Sequence, residues 1–496
     1  MSVTYFIVSF VDIQTLFIFF IVILLCYYIF THPKLPPGPP GWPIIGNLPL
    51  MNRIKPGKRY LFYKEMSEKY GSICRIRFGI RNMFLISGYD MVHEALSNVG
   101  NGLENRPNWL YTIEKSTKNG KGIIFANGKE WKDVRRMALV TLRDFGVGKL
   151  TIEERIIEEF QAVKGELLKV TGKPIRMKYF LIRAVTNVIC SILFGNRFDY
   201  NDPKYKGLVN ALEDYFKTEN TSSPINALPW LRFLPGRKQV RFLYIFFSFV
   251  SEQIKEHEDK FDKDDIKDFV DVYLKTRETA DDKSMFTAGN IFRLIIDLFA
   301  AGTDTTANTL DWIILHMIGY PDILQKCQEE VDKVVGKGNV VHLVHRPHLP
   351  YVQATIQEVQ RICNISPTTI PHGTVRDTSL GGYTLTKDSI VIMNLMSVHT
   401  DPKYWEDPEI FRPENFLDEN GKLKRRKAFM PFGIGARECI GESLAKSELF
   451  LFFSNLINTF NFSRVNGKKV DFDGFHGKSF VPKQYEVVVT PIPENL

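Results

Sequence analysis

The stretch from about Thr287 to Gly319 is the strongest helix signal in this 496-residue chain, and Pro321 stops it just beyond. At 1.5 Å per residue it is about 50 Å long, enough to cross a large domain. In its middle lies Ala300-Ala-Gly-Thr-Asp-Thr-Thr306, small and hydroxylated residues that make poor helix. Threonines bond back to carbonyls and glycine loosens the ladder, so the segment predicts a local distortion. A widened turn with Asp304 and Thr305 beside it would hold water and relay protons. A close helix–helix crossing lined by small residues is the other reading of the same segment.

A second stretch carries the chemistry. Phe432-Gly-Ile-Gly-Ala-Arg-Glu-Cys-Ile-Gly441 places Cys439 after a glycine-rich turn, and Ser443 to Phe460 follows with apolar residues at helical spacing. Gly433, Gly435 and Gly441 let the backbone fold tightly and approach something flat. A cysteine at a helix N-terminus meets free N–H groups and the positive dipole end, which favour its thiolate. Thiolates bind soft or redox-active metals, haem iron among them. A small buried cysteine beside a glycine turn is the alternative.

The length fits two to four ordinary domains or one large one. With 44% hydrophobic residues the chain can bury a substantial core. The net charge of +8 suits an acidic protein partner or an anionic membrane surface, while no Lys/Arg array interleaved with aromatics points to nucleic acid. The six cysteines are scattered without a CxxC pair, so a reducing compartment is expected rather than a disulfide framework.

Residues 3–30 are almost entirely apolar, and about 20 such residues span a bilayer as a helix. Bulky Tyr, Phe and Pro follow instead of a cleavage site, so the segment reads as an uncleaved anchor. Lys34, Arg53, Lys55, Lys58 and Arg59 lie after it with no Lys or Arg before, which puts the bulk of the protein on the cytoplasmic side. Leu35-Pro-Pro-Gly-Pro-Pro-Gly-Trp-Pro43 is a semi-rigid extended spacer. Beyond it, Tyr60–Tyr70 has helical spacing, and Ile73–Phe78 and Met83–Ser87 read as strands around a turn. Residues 101–122 read as loop. Trp131 and Arg135 share a helix face, where an indole N–H and an arginine fork could hold a buried carboxylate. Residues 150–320 read as mainly helical, broken at 221–240 by a proline-rich segment that reads either as a mobile lid with apolar walls or as a loop packed on the core. His257 to Lys267 reads as a solvated face. Pro350 opens another helix with Glu358 and Arg361 on one face, and 366–397 reads as short strands.

Phe432-x-x-Gly435-x-Arg437-x-Cys439-x-Gly441 resembles the haem-binding signature of the cytochrome P450 family, the haem-thiolate monooxygenases. Trp131/Arg135, Ala301–Thr306, Glu358/Arg361 and Phe411–Phe416 occur in the family's order, and the pattern is similar to its animal microsomal clan. The resemblance implies a mainly α fold with small β-sheets (α+β), the cytochrome P450 fold, preceded by one N-terminal transmembrane helix. It implies an anchor at 1–31, a proline-rich hinge at 32–45 and a single haem-binding catalytic domain at 46–496.

Carried over residue by residue, the resemblance makes Cys439 the proximal ligand of haem b and Asp304 with Thr305 the acid–alcohol pair. Trp131, Arg135, His372 and Arg437 would hold the haem propionates, Phe432 would pack near the thiolate, and Glu358 with Arg361 would be a buried structural pair. Asn415 stands where many relatives have arginine, which leaves that pair's third partner open. The implied activity inserts one oxygen atom from O2 into an apolar substrate, such as a lipid, steroid, terpenoid or xenobiotic. A haem-thiolate isomerase or dehydratase, or a non-catalytic haem- or lipid-binding protein, is the alternative.

No glycine-rich dinucleotide motif follows a strand, so a separate NADPH-cytochrome P450 reductase is implied, with cytochrome b5 as a further partner. The implied location is the endoplasmic reticulum membrane, catalytic domain facing the cytoplasm. The basic run Lys422, Lys424, Arg425, Arg426 and Lys427, with Lys132 and Arg136, is a candidate docking face for an acidic partner. By resemblance the substrate pocket draws on about 103–125, 205–247, 294–301, 366–371 and 475–481, with Phe299, Ala300, Ile370 and Phe475 in its lining. A metal hydrolase built on His342, His345 and His348 is the weakest reading, because Pro347 and Pro350 break any common helix face.

Overall fold

The computed structural model describes residues 15–23, 34–98, 102–117, 120–145, 151–217, 224–228, 230–231, 241–279 and 286–493. Strands β1 (Ile73–Phe78) and β2 (Arg81–Ser87) pair antiparallel, with Phe78 opposite Arg81. The turn is tighter than the sequence predicts because Gly79 takes a positive φ of 66°. Helices α1 (Gly128–Asp144), α2 (Thr151–Leu168), α3 (Lys178–Leu193), α4 (Pro203–Lys217) and α5 (Arg241–Lys260) follow. Next come α6 (Ala288–Gly319), α7 (Pro350–Ile362), the short strand β3 (His372–Gly373) and β4 (Ile390–Asn394). Helix α8 (Glu442–Thr459) and a hairpin of β5 (Gly474–His476) and β6 (Phe480–Pro482) lie near the C-terminus.

The architecture is mainly helical with small sheets, as expected. The largest sheet runs β1-β2-β4-β3, with β2 and β4 parallel and the other pairs antiparallel. Helix α6 forms the spine. Thr287 caps it by accepting from Asn290 N, and it packs on α3, α8 and α5 and against β6. Its apolar residues are buried nearly all round, which suits a helix in the centre of a large body rather than at its edge. Helix α8 is similarly enclosed, from Ser447 to Asn458.

Several expectations change. Helix α6 is unbroken, without the widened turn expected at its centre. Thr305 Oγ1 donates to Ala301 O at 2.7 Å and Thr309 Oγ1 to Thr305 O at 2.8 Å, so these two hydroxyls are satisfied along the helix without opening it. The small-residue reading accounts for the segment instead. A Cβ on Gly302 would lie 2.5 Å from Ile189 Cδ1, so a larger residue here would have to push the Ile189 side chain of α3 aside. The loop at 101–122 includes a short helix, Tyr111–Ser116. The proline spacer is bound along β1, where Arg75 N donates to Pro37 O at 2.8 Å and Asn47 Nδ2 to Pro40 O at 2.9 Å. The stretch from His257 to Lys267 is exposed along most of its length, as expected, but His257 itself is half-buried with Nε2 2.8 Å from Asp268 Oδ2.

Among the described residues no helix is long and apolar enough to cross a membrane. Residues 15–23 are helical and exposed, and the remainder of the expected anchor lies outside the described residues. Most of the 221–240 segment does too; Pro224–Ala227 is a single helical turn.

Candidate active site

A cavity of about 330 Å³ lies between α6, α8 and the loop that carries Cys439. Cys439, Phe432, Trp131, Arg135, His372, Arg437 and Thr305, chosen from the sequence at separations of up to some three hundred positions, all line it. The Cys439 loop is held by its own backbone: Cys439 N donates to Phe432 O at 2.9 Å. Gly435 is obligatory, because its φ is 80° and a Cβ would meet Leu96 O at 2.2 Å. The glycine thus allows close approach to the Leu96 backbone.

The Cys439 side chain is exposed, and the exposure is into the cavity. Desolvation within the protein-walled cavity raises its thiol pKa, while the Gly441 N–H and Arg135 act in the opposite direction. The helix-end effect read from the sequence is therefore outweighed by desolvation until a cation lies against the sulfur.

Three guanidiniums crowd one wall. Arg437 spends its fork on Glu104 O at 2.8 Å, Ala126 O at 2.6 Å, Ile123 O and Asn127 Oδ1 at 3.2 Å, and sits 4.0 Å from the centroid of Trp131. Arg135 Nη2 donates to Glu438 O at 2.9 Å. Arg106, which sequence reasoning missed, also lines the cavity and donates to Ile370 O at 2.7 Å. No spacing signal distinguishes Arg106; only the fold brings it here.

Burial lowers the pKa of Arg106 to about 9; burial and then the neighbouring Arg106 and Arg135 lower that of Arg437 to about 8. Among the described residues none of the three forms an ion pair with a carboxylate. Three positive charges without a carboxylate partner, one buried and two half-buried, call for anions from outside the chain. The donor set, with a thiol on another wall, fits a dianionic prosthetic group with a soft axial ligand, as haem is.

His372 departs from the expected donor role. Its Nδ1 bonds to Leu103 O at 2.6 Å, and burial with Arg106 beside it drives its pKa well below the usual value. The ring is neutral with Nδ1 as donor, which leaves Nε2 an acceptor. Arg106 lies in the cavity wall with His372 and adds a cation to the cluster.

The acid–alcohol pair is split. Thr305 lines the cavity, but Asp304 does not: it is 1% exposed and its Oδ2 accepts from Ser479 Oγ at 2.5 Å. Consecutive residues leave a helix about 100° apart, so in this arrangement the two side chains meet different surroundings. The same rule corrects the pocket lining. Phe299 packs among Phe194, Phe246 and Phe249, and Leu298, Ala301 and Gly302 face the cavity in place of Phe299 and Ala300. Ile370 lines it as expected; Phe475 does not, and lies over Gly57.

Glu358 and Arg361 form a two-bond pair, Nε–Oε2 and Nη2–Oε1 both 2.7 Å, with both side chains fully buried. Arg361 also donates to His399 O and Pro408 O, and Glu358 Oε1 accepts from Arg412 N at 2.9 Å. Asn415 Nδ2 donates to that same oxygen at 3.1 Å, so the third partner is kept without a third charge.

Of the basic run, Lys422, Lys424, Arg425 and Lys427 are exposed with Lys132 and Arg136, whereas Arg426 is half-buried. Its guanidinium bonds Tyr404 O at 2.5 Å and lies 4.7 Å from the centroid of Trp405. The three histidines form no metal group: His342 pairs with Glu153 and His345 Nδ1 accepts from His342 N. Among the described residues the one cluster with metal-ligand geometry is His257, Asp268 and Asp271.

Residues 36–489 match the cytochrome P450 family profile. The chain is 37% identical over 466 residues to cytochrome P450 2J2 of Homo sapiens, covering 92% of this chain and 91% of the relative. It is 37% identical over 480 residues to cytochrome P450 2C11 of Rattus norvegicus, covering 93% of each. With cytochrome P450 2H1 of Gallus gallus the identity is 38% over 465 residues, covering 92% and 94%.

Proposed function

This chain belongs to the cytochrome P450 family and is a haem-thiolate monooxygenase, and from that premise we propose that Cys439 is the proximal ligand of a haem b held in the 330 Å³ cavity. One observation carries the reading: three arginines without a carboxylate ion pair converge on one cavity with Cys439, the exposed one of the two cysteines that line it, the other being the buried Cys363. Bound there, the haem would supply reductive activation of dioxygen, with one oxygen atom going to the substrate and two electrons arriving from NADPH through a separate reductase.

The chain's own residues do the rest. Arg106, Arg135, Arg437 and Trp131 would hold the two propionates, and His372 would join them when a carboxylate draws a proton onto Nε2. Phe432 and the Gly441 N–H bound the sulfur and limit water around it. Thr305, from the α6 wall, offers a hydroxyl that can accept and pass a proton; Asp304 is the acid that supplies it. Glu358 and Arg361 fasten the segment before the Cys439 loop. Leu298, Ala301 and Ile370 supply apolar lining, which suits an apolar substrate.

Beyond the chemistry, the reading includes an anchor at 1–31, a hinge at 32–45 and one catalytic domain at 46–496. The exposed apolar helical residues 15–23 support the anchor. An endoplasmic reticulum membrane location, cytoplasmic orientation, NADPH-cytochrome P450 reductase and cytochrome b5 complete it. The test is Cys439→Ser in the purified protein with haem added. The thiolate signature in the carbon monoxide difference spectrum should vanish; its retention would assign the ligand elsewhere.

A further inference from the structure

Asp304 is parked behind the cavity by a turn that also grips another helix. Ser479, 4% exposed, donates through Oγ to Asp304 Oδ2 at 2.5 Å. It lies in the tight turn of the β5–β6 hairpin, where Gly477 N donates to Ser479 O at 3.0 Å. On one side the hairpin is fixed: Trp312 Nε1 of α6 donates to Phe480 O at 2.9 Å, and Phe480 N to Ile365 O at 2.8 Å. On the other side it holds the C-terminal end of α4. Lys478 N donates to Phe216 O at 3.0 Å and Lys478 Nζ to Tyr215 O at 2.6 Å, with Nζ 3.6 Å from the Tyr215 ring centroid. Two consecutive residues thus touch the end of α4 and the carboxyl neighbouring Thr305.

Burial raises the pKa of Asp304, against the pull of Lys178, the Ser479 hydroxyl and Asn308, while Glu213 of α4 adds to the rise. The parked group therefore keeps its proton more readily than an exposed aspartate. Lys478, half-buried, is lowered to about 7 by desolvation, with Asp304 opposing.

We propose that Ser479 is a positioning residue that clasps Asp304 away from the cavity, and that Lys478 makes the clasp responsive to the end of α4. The inference rests on the reading of Asp304 and Thr305 as the proton-delivering pair. When α4 shifts to admit a substrate, Lys478 loses the Tyr215 and Phe216 carbonyls, the turn yields, and Asp304 rotates toward the Thr305 side. One proton then leaves the Asp304 carboxyl toward the cavity. The carboxylate left behind regains one from solvent before the turn recloses.

The holoenzyme with reductase and NADPH tests this. Ser479→Ala should raise NADPH consumption without substrate about tenfold, the population shift for losing one hydrogen bond to a carboxyl. Ser479→Thr should restore the low rate, and Asp304→Asn combined with Ser479→Ala should abolish the rise. A rise that persists in the Asp304→Asn background would overturn the proposal, because it would come from loosened packing. Without NADPH, amide exchange across 474–482 should quicken when lauric acid, taken as the apolar probe, saturates its spectral binding shift, and should already be fast in Lys478→Met. No change on either count would also overturn it. If Asp304→Asn alone leaves substrate-supported turnover intact, the acid–alcohol reading fails by a separate route.

Discussion

The guanidinium of Arg437 lies 4.0 Å from the centroid of the Trp131 ring, although the two residues are separated by most of the catalytic region. The stacked indole fixes the plane of the guanidinium, and four acceptors fix its rotation within that plane. The remaining donor capacity is thereby aimed rather than free.

Arg437→Lys keeps a charge but cannot fill this site, since an ammonium has no planar fork to stack or bridge. We expect the variant to fold and to lose haem, with the haem-to-protein ratio after gel filtration falling to less than about half. Full retention would show that Arg106 and Arg135 suffice.

The Glu358–Arg361 pair gives a graded series. Removing either partner strands a buried charge, so Arg361→Ala should cost about 3–5 kcal/mol of unfolding free energy. Asn415→Leu removes one of several bonds to Glu358 and should cost about 1–3 kcal/mol. Urea unfolding of the three proteins checks the order, and an Asn415 effect equal to that of Arg361 would contradict it.

Within the basic run, position decides the outcome. Reversing charge at the exposed Lys424 and Arg425 should slow first-electron transfer from reductase about tenfold at low salt, converging at high salt. Arg426→Glu should instead lower the unfolding temperature, because Arg426 bonds Tyr404 O and covers Trp405. Stopped-flow reduction and thermal unfolding separate the two effects.

Acid sensitivity has a named contributor. His316, enclosed by Trp312, Phe411 and Phe472, has its pKa lowered by burial to about 4. The unfolded imidazole titrates near 6.5, so between about 6.5 and 4 the unfolded state binds the extra proton and stability falls as pH falls. His316→Phe should flatten the stability curve in that window by about 1.4 kcal/mol per pH unit relative to the parent. Parallel curves from urea unfolding at pH 6, 5 and 4.5 would refute the assignment.

The sequence by itself determined the local facts. Periodicity and stop signals placed α6, α7 and α8 to within a residue or two, because helix burial repeats along the chain and proline ends it. The Cys439 loop and the Glu358–Arg361 pair were legible because their partners sit within a few positions. What only the tertiary structure decided was direction and company. Arg106 joins the site because β3 and the segment before α1 converge, which no spacing encodes. His372 Nε2 becomes an acceptor because Nδ1–H donates to Leu103 O, which fixes the tautomer. Asp304 and Thr305 are adjacent in sequence, yet a 100° step of helix and the hydroxyl of Ser479, 175 positions away, separate their surroundings. Sequence sets which side chains are available; the packing of distant segments sets which way each one faces.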